Sequence, residues 1–226
     1  MIRGDTTQKR LAFVFTGDEF ADGGSSILSA LKEHDTKASF FFTGRFYKNP
    51  GFRELIKSLK QEGHYLGAHS DDHLLYCDWV KRDSLLVSHE AFKEDLRRNY
   101  DRMAGFGVGK ADARYFLPPY EWYNQRIAAW TAQEGLTLIN FTPGTRSTAD
   151  YTWPEMGKRY VSSETVYNSI LAHEAKDPNG LNGFILLIHI GTDPRRTDKF
   201  YNRLGELLTA LTAKGYTFTT VADLLE

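Results

Sequence analysis

A chain of 226 residues holds enough apolar surface for one sizeable core, and a closed α/β barrel fits this length as a single domain. A formal net charge of -1 with 25% charged residues excludes nucleic-acid binding driven by bulk charge. No apolar run reaches bilayer length, and a lone cysteine, Cys77, excludes an internal disulfide and leaves the redox compartment open.

The start, Met1 to Arg10, is polar and lacks the apolar core of a secretory leader, so residues 1–10 read as an extension ahead of one domain, 11–226. Export is compatible with this start if the chain is a mature form. Leu11 to Thr16 is an apolar run bounded by Gly17, a buried strand. Ser25 to His34 has helical spacing, Ala38 to Thr43 (ASFFFT) is a second strand, and Phe52 to Gln61 a second helix closed by Gly63. Tyr65 to Ala68 is a third strand running straight into His69. Leu85 to Met103 is a long helix, and Ala113 to Leu117 a strand stopped by Pro118-Pro119. Asn124 to Glu134 and Leu136 to Phe141 form the next helix and strand. Thr142 to Arg159 is a long polar loop, a length that suggests a functional role in substrate choice. Ser162 to Lys176 is helical, Phe184 to Ile190 the most apolar strand, and Asp198 to Ala213 a helix capped by Thr197. Tyr216 to Thr219 and Val221 to Leu225 end the chain. Fully apolar strands alternating with amphipathic helices predict a parallel sheet covered by helices, and about seven units favour a distorted (β/α)7-type barrel over an open, doubly wound sheet.

In such folds the site gathers at the C-terminal ends of the strands. Those ends carry Asp18-Glu19, His69 and His73, Pro118-Pro119-Tyr120, the Thr142 loop and His189. With Ser70 as the cap of a helical turn and Asp71 and Asp72 as helix-start charges, His69 and His73 share one face and are half of a metal site. A hydrolytic zinc wants a third protein ligand brought in by folding. His34, His64, His89 and His173 read as surface or packing residues.

The ordered set resembles the NodB-type polysaccharide deacetylases, the family-four carbohydrate esterases. Gly63 to His73 (GHYLGAHSDDH) is similar to that family's histidine segment, and Phe116 to Tyr120 (FLPPY) to its Arg-Pro-Pro-Tyr segment. Leu186 to His189 resembles the strand bearing its acid histidine. The resemblance implies a distorted barrel that removes acetyl groups from a carbohydrate with a divalent transition metal, zinc foremost. It makes Asp18 the general base, Glu19, His69 and His73 the metal ligands, His189 the general acid and the Tyr120 N–H an oxyanion donor. An acetylated carbohydrate is the implied partner, and Pro119, Trp122, Trp153 and Asp150 are candidate substrate-facing residues. A non-catalytic or weakened carbohydrate-binding barrel is the alternative.

Three departures stand out. Glu19 replaces the family's second aspartate, and Leu117 its arginine, which pairs with the base. Arg114, Arg146 and Lys110 are candidate substitutes. The aspartate that supports the acid histidine has no match in Phe141 to Gly144, and Asp150 is the candidate replacement.

Overall fold

The apolar runs pair side by side as parallel strands β1 (Arg10–Gly17), β2 (Ser39–Phe42), β3 (Tyr65–Ala68), β4 (Tyr115–Phe116), β5 (Thr137–Leu138), β6 (Phe184–His189) and β7 (Thr217–Thr219). This computed structural model describes residues 1–226. The order is β5-β4-β3-β2-β1-β6, with β7 on the start of β1. The edges almost meet: Thr142, just beyond β5, donates its N–H to Ile185 O (3.0 Å), and Thr142 Oγ1 accepts the Ile185 N–H (2.9 Å). The sheet thus curls into a distorted barrel, as predicted.

Alternation along each strand divides the interior in two. Leu11, Phe13 and Phe15 face the helical layer, together with Phe40, Phe42 and Leu186. Ala12 and Val14 face the barrel lumen with Phe41, Leu117, Ile139, Ile185 and Leu187, and Val221 and Leu224 plug its lower end. Both layers are dry, which is why the strands are apolar on both faces. Each fully buried large side chain of this kind contributes about 1.5–3 kcal/mol. Leu117 is one of these lumen residues, completely buried; a charged arginine at that position would lose its hydration among hydrocarbon.

The helices are α1 (Gly24–Glu33), α2 (Gly44–Lys48), α3 (Arg53–Gln61), α4 (His89–Ala104), α5 (Gln125–Gln133), α6 (Ser163–Lys176), α7 (Leu204–Ala213) and α8 (Val221–Leu224). Three departures from the sequence reading bear on the site. The short helix α2 had no periodicity to reveal it; Thr43 caps it, its side chain accepting the Phe46 N–H. α4 begins at His89 under a Ser88 cap, because Leu85 is held in a bridge with Cys77. α7 begins at Leu204, not under a Thr197 cap, because the Asp198 carboxylate is taken by the Ser163 N–H (2.7 Å) and Phe200–Arg203 forms a tighter turn.

The loop 142–159 contains two such tight turns, Ser147–Tyr151 and Pro154–Arg159. Fully buried Arg196 ties its far end down, donating to the carbonyls of Thr152 and Val161 and to Ser163 Oγ. Residues 1–10, read as an extension, lie against the barrel: the Met1 amine donates to Leu138 O, Asn140 N–H to Met1 O, and Gly4 N–H to Gly183 O.

Candidate active site

Strand register sets the rim. Thr16 lies beside both Phe41 and His189, and Ala68 beside Phe42 and Phe116, so the segments following β1, β3, β4 and β6 leave the sheet at one level. They enclose a cavity of about 560 Å³ whose walls include Asp18, Glu19, His69, His73, Tyr120 and His189.

The segment from His69 to His73 is a tight turn rather than a helical one. Ser70 (φ 70°) and His73 (φ 52°) occupy the left-handed region, which no helix allows. Ser70 Oγ still accepts the His73 N–H (2.9 Å), and the two imidazoles end 5.0 Å apart, centre to centre. Helix α4 holds the turn from behind. Asn99 accepts the His69 N–H (3.0 Å) and donates to Phe42 O (3.2 Å), while Asp95 accepts the Asp72 N–H (2.9 Å). Asp71 is not a helix-start charge but a buried carboxylate facing Lys48, Arg98 and Arg102 at 3.4–3.9 Å. Replacing Asn99 with Ala removes two buried hydrogen bonds and leaves the His69 N–H and Phe42 O only their longer bond to each other (3.3 Å); we expect a loss of about 1–3 kcal/mol in denaturant-unfolding stability.

His69 donates from Nδ1 to Leu117 O (2.8 Å), which turns Nε2 toward the cavity. Burial pushes the His69 imidazole down to about 4 and, with His69 and Arg45 adding repulsion, that of His73 down to about 2. Both are therefore neutral at pH 7, the form that binds metals. Yet no group of three His, Cys, Asp or Glu side chains comes together anywhere in the chain to hold an ion. Glu19 lines the cavity without joining the two imidazoles as a third ligand. The donor set is a pair, one short of the three that a hydrolytic zinc usually takes.

Asp18 is held by Arg45, which donates from Nε (2.9 Å) and Nη2 (2.6 Å), and by the Thr43 hydroxyl (2.7 Å). The cation paired with Asp18 thus comes from α2, and none of the sequence candidates supplies it. Arg114 pairs with Glu226 and Lys110 with Glu134, while Arg146 makes no contact with Asp18. The available signal was positional: Arg45 follows the second strand's end by three residues.

His189 is bound twice by Asp150, through its own N–H (2.9 Å) and from Nδ1 (2.6 Å). Burial alone lowers the imidazole's pKa, but the Asp150 carboxylate and, more weakly, Glu121 outweigh it, and His189 titrates above its ordinary 6.5. Tyr120 (φ 59°) and Glu121 (φ 53°) are consecutive left-handed residues on the turn after β4. The Tyr120 ring packs on His73 (4.4 Å), and its N–H takes part in no backbone hydrogen bond. Glu121 went unnoticed in the sequence. It is half-buried in the cavity wall, and burial pushes its carboxyl up to about 7.

Residues 3–139, more than half the sequence, match the family described as polysaccharide deacetylase. The chain belongs to that family. Among other members, the peptidoglycan-N-acetylglucosamine deacetylase PgdA of Listeria monocytogenes is 28% identical over 219 residues, 96% of this chain but only 39% of PgdA. The peptidoglycan-N-acetylmuramic acid deacetylase PdaA of Bacillus subtilis is 25% identical over 98% of this chain and 73% of PdaA. The solved PdaA structure has a TM-score of 0.76 at 21% identity, covering 99% of this chain and 83% of that one. BA3943, a CE4 family pseudoenzyme from Bacillus anthracis, shares the fold with a TM-score of 0.75 at 17% identity, over 100% of this chain and 68% of its own.

Within this polysaccharide deacetylase fold, the substrate-facing expectations divide. Trp153 lines the cavity under the Arg195 guanidinium (4.0 Å), whereas Pro119 is buried and Trp122 stands one layer back, against Arg82 (4.1 Å) and Trp79 (5.5 Å). Trp79 and Tyr151, both about half exposed, line the mouth. Asp150 has both oxygens on His189 and is almost completely buried, so it faces the histidine rather than a substrate.

Proposed function

We propose that this chain is a hydrolase that removes acetyl groups from a carbohydrate polymer, with Asp18 as general base and His189 as general acid. The supporting observation is that an aspartate and a histidine on adjacent strands open into one cavity, each fixed by a partner of its own. Asp18 takes a proton from a water as that water adds to the acetyl carbonyl. The free Tyr120 N–H points the reading to an oxyanion donor, a contribution of about 3–4 kcal/mol in comparable sites. The tetrahedral species then collapses, the bond from the acetyl carbon to the sugar nitrogen or oxygen breaks, and His189 supplies the proton the leaving atom needs. Trp79, Tyr151 and Trp153 offer faces on which sugar rings stack.

The zinc expected from the resemblance fits this chain incompletely: the neutral imidazole pair suits it, and the missing third ligand does not. The same shortfall supports a second reading, a carbohydrate-binding barrel with little turnover.

Acetate release from acetylated sugar oligomers is the deciding measurement, made before and after chelation and on adding back a divalent cation. We expect release from the protein as purified. Sugar binding unaffected by Asp18→Asn, with no turnover in the parent, selects the second reading.

A further inference from the structure

Two cavity carboxylates lack a partner, Glu19 and Glu121; Glu19 is exposed to solvent, and Glu121 is the one that is half-buried. Asp18 is tied to Arg45 and Asp150 to His189, whereas the Glu121 side chain forms neither a hydrogen bond nor an ion pair. Only its backbone is engaged, donating to Pro118 O (3.0 Å) and accepting from Asn140 Nδ2 (2.7 Å). It also sits at φ 53°, next to Tyr120 at 59°, where a side chain is strained and glycine is not. Strain of this kind persists where the side chain is used. Tyr120 uses its ring against His73. Glu121 has no such use within the chain, and its carboxylate shares the cavity with His189 without pairing with it.

The geometry points to Glu121 as a specificity residue that receives the sugar's leaving amine, selecting N-acetyl over O-acetyl substrates. This rests on the reading of His189 as the acid that protonates the leaving atom. A nitrogen that departs with that proton is an amine, and at neutral pH it takes up a further proton from water and becomes an ammonium ion. A departing oxygen becomes a neutral alcohol. A carboxylate across the cavity stabilises the first and gains little from the second. The ammonium also supplies the positive charge that a half-buried carboxylate lacks in the free protein.

The test uses Glu121→Gln, which keeps the shape, and Glu121→Gly, which relieves the backbone. Rates on N-acetylglucosamine oligomers and on O-acetylated xylose oligomers give the selectivity. Calorimetric binding of a glucosamine oligomer reports the ammonium contact without turnover. We expect both variants to lose about tenfold in N- over O-acetyl preference, and glucosamine-oligomer affinity to fall about tenfold, the scale of one charge-assisted hydrogen bond. Glu121→Gly should also melt about 2 °C higher, showing that the fold is intact and that the side chain is kept at a cost in stability. Preference and amine affinity unchanged in Glu121→Gln, or N- and O-acetyl rates falling in parallel with amine affinity kept, overturn the inference. If the parent releases no acetate, the binding arm decides alone: amine affinity that depends on Glu121 sustains this inference while the proposed hydrolysis fails.

Discussion

Asp18→Asn should lower kcat/KM for acetate release by about 10²–10⁴-fold with little change in melting temperature, because it removes the proton acceptor and keeps the shape. The accompanying variant is Arg45→Leu. Arg45 makes two parallel contacts with the Asp18 carboxylate, a fork that fixes the orientation of both oxygens as well as supplying charge. Its loss leaves Thr43 as the remaining anchor, and we expect kcat to fall by about 10–100-fold, within what positioning alone can supply. Arg45 is well exposed, so the ion pair itself adds little to folding, and the fold should survive the change. Arg45→Lys separates the two roles of the guanidinium: it restores the charge without the fork. A rate for Lys close to that of Leu assigns Arg45 to orientation, and a rate close to wild type assigns it to charge. Unchanged kcat in Arg45→Leu, with Asp18→Asn inactive, removes Arg45 from the site altogether.

That pair also marks where sequence reasoning stopped. The barrel was legible because seven apolar runs, each ended by a turn or a loop, have one economical arrangement, and the rim residues followed from their places at strand ends. Leu117 was legible as a departure but not as a cause. Only the structure shows that its side chain lies in the apolar lumen while the cation that reaches Asp18 comes from a five-residue helix too short to show a period. The Ser70 turn failed for a related reason. Spacing of four suggests a helix, yet the Ser70 hydroxyl can take the His73 N–H in a left-handed turn just as well, and the anchors that decide between them, Asn99 and Asp95, lie some thirty residues on. The placement of Asp150 depends on Arg196, whose buried guanidinium pulls the 142–159 loop in. Glu121 offered no pattern at all, because neither its backbone angle nor its place in the cavity wall is written in the neighbouring residues.

Asp150→Asn carries the other large expectation. The asparagine keeps one acceptor oxygen, so it cannot serve both the His189 N–H and Nδ1, and its amide nitrogen opposes one of them. Two losses coincide: the ring is no longer held, and the charge that raises the His189 pKa against burial is gone. An acid works only while protonated, so in the parent kcat/KM should hold up to the raised His189 pKa and decline above it. In Asp150→Asn the alkaline limb should move to lower pH, since burial and Arg196 then act with only Glu121 opposing them. At neutral pH we expect a fall of about 10²–10³-fold. Stability moves with the same sign. A raised pKa in the folded chain stabilises it fully below the ordinary value of 6.5 and loses that effect as pH rises through the folded value, so the stability gap between parent and variant should be widest in acid and narrow toward alkaline pH. A shifted limb with a narrowing gap places the proton on His189. A rate loss equal at every pH instead confines Asp150 to holding the ring.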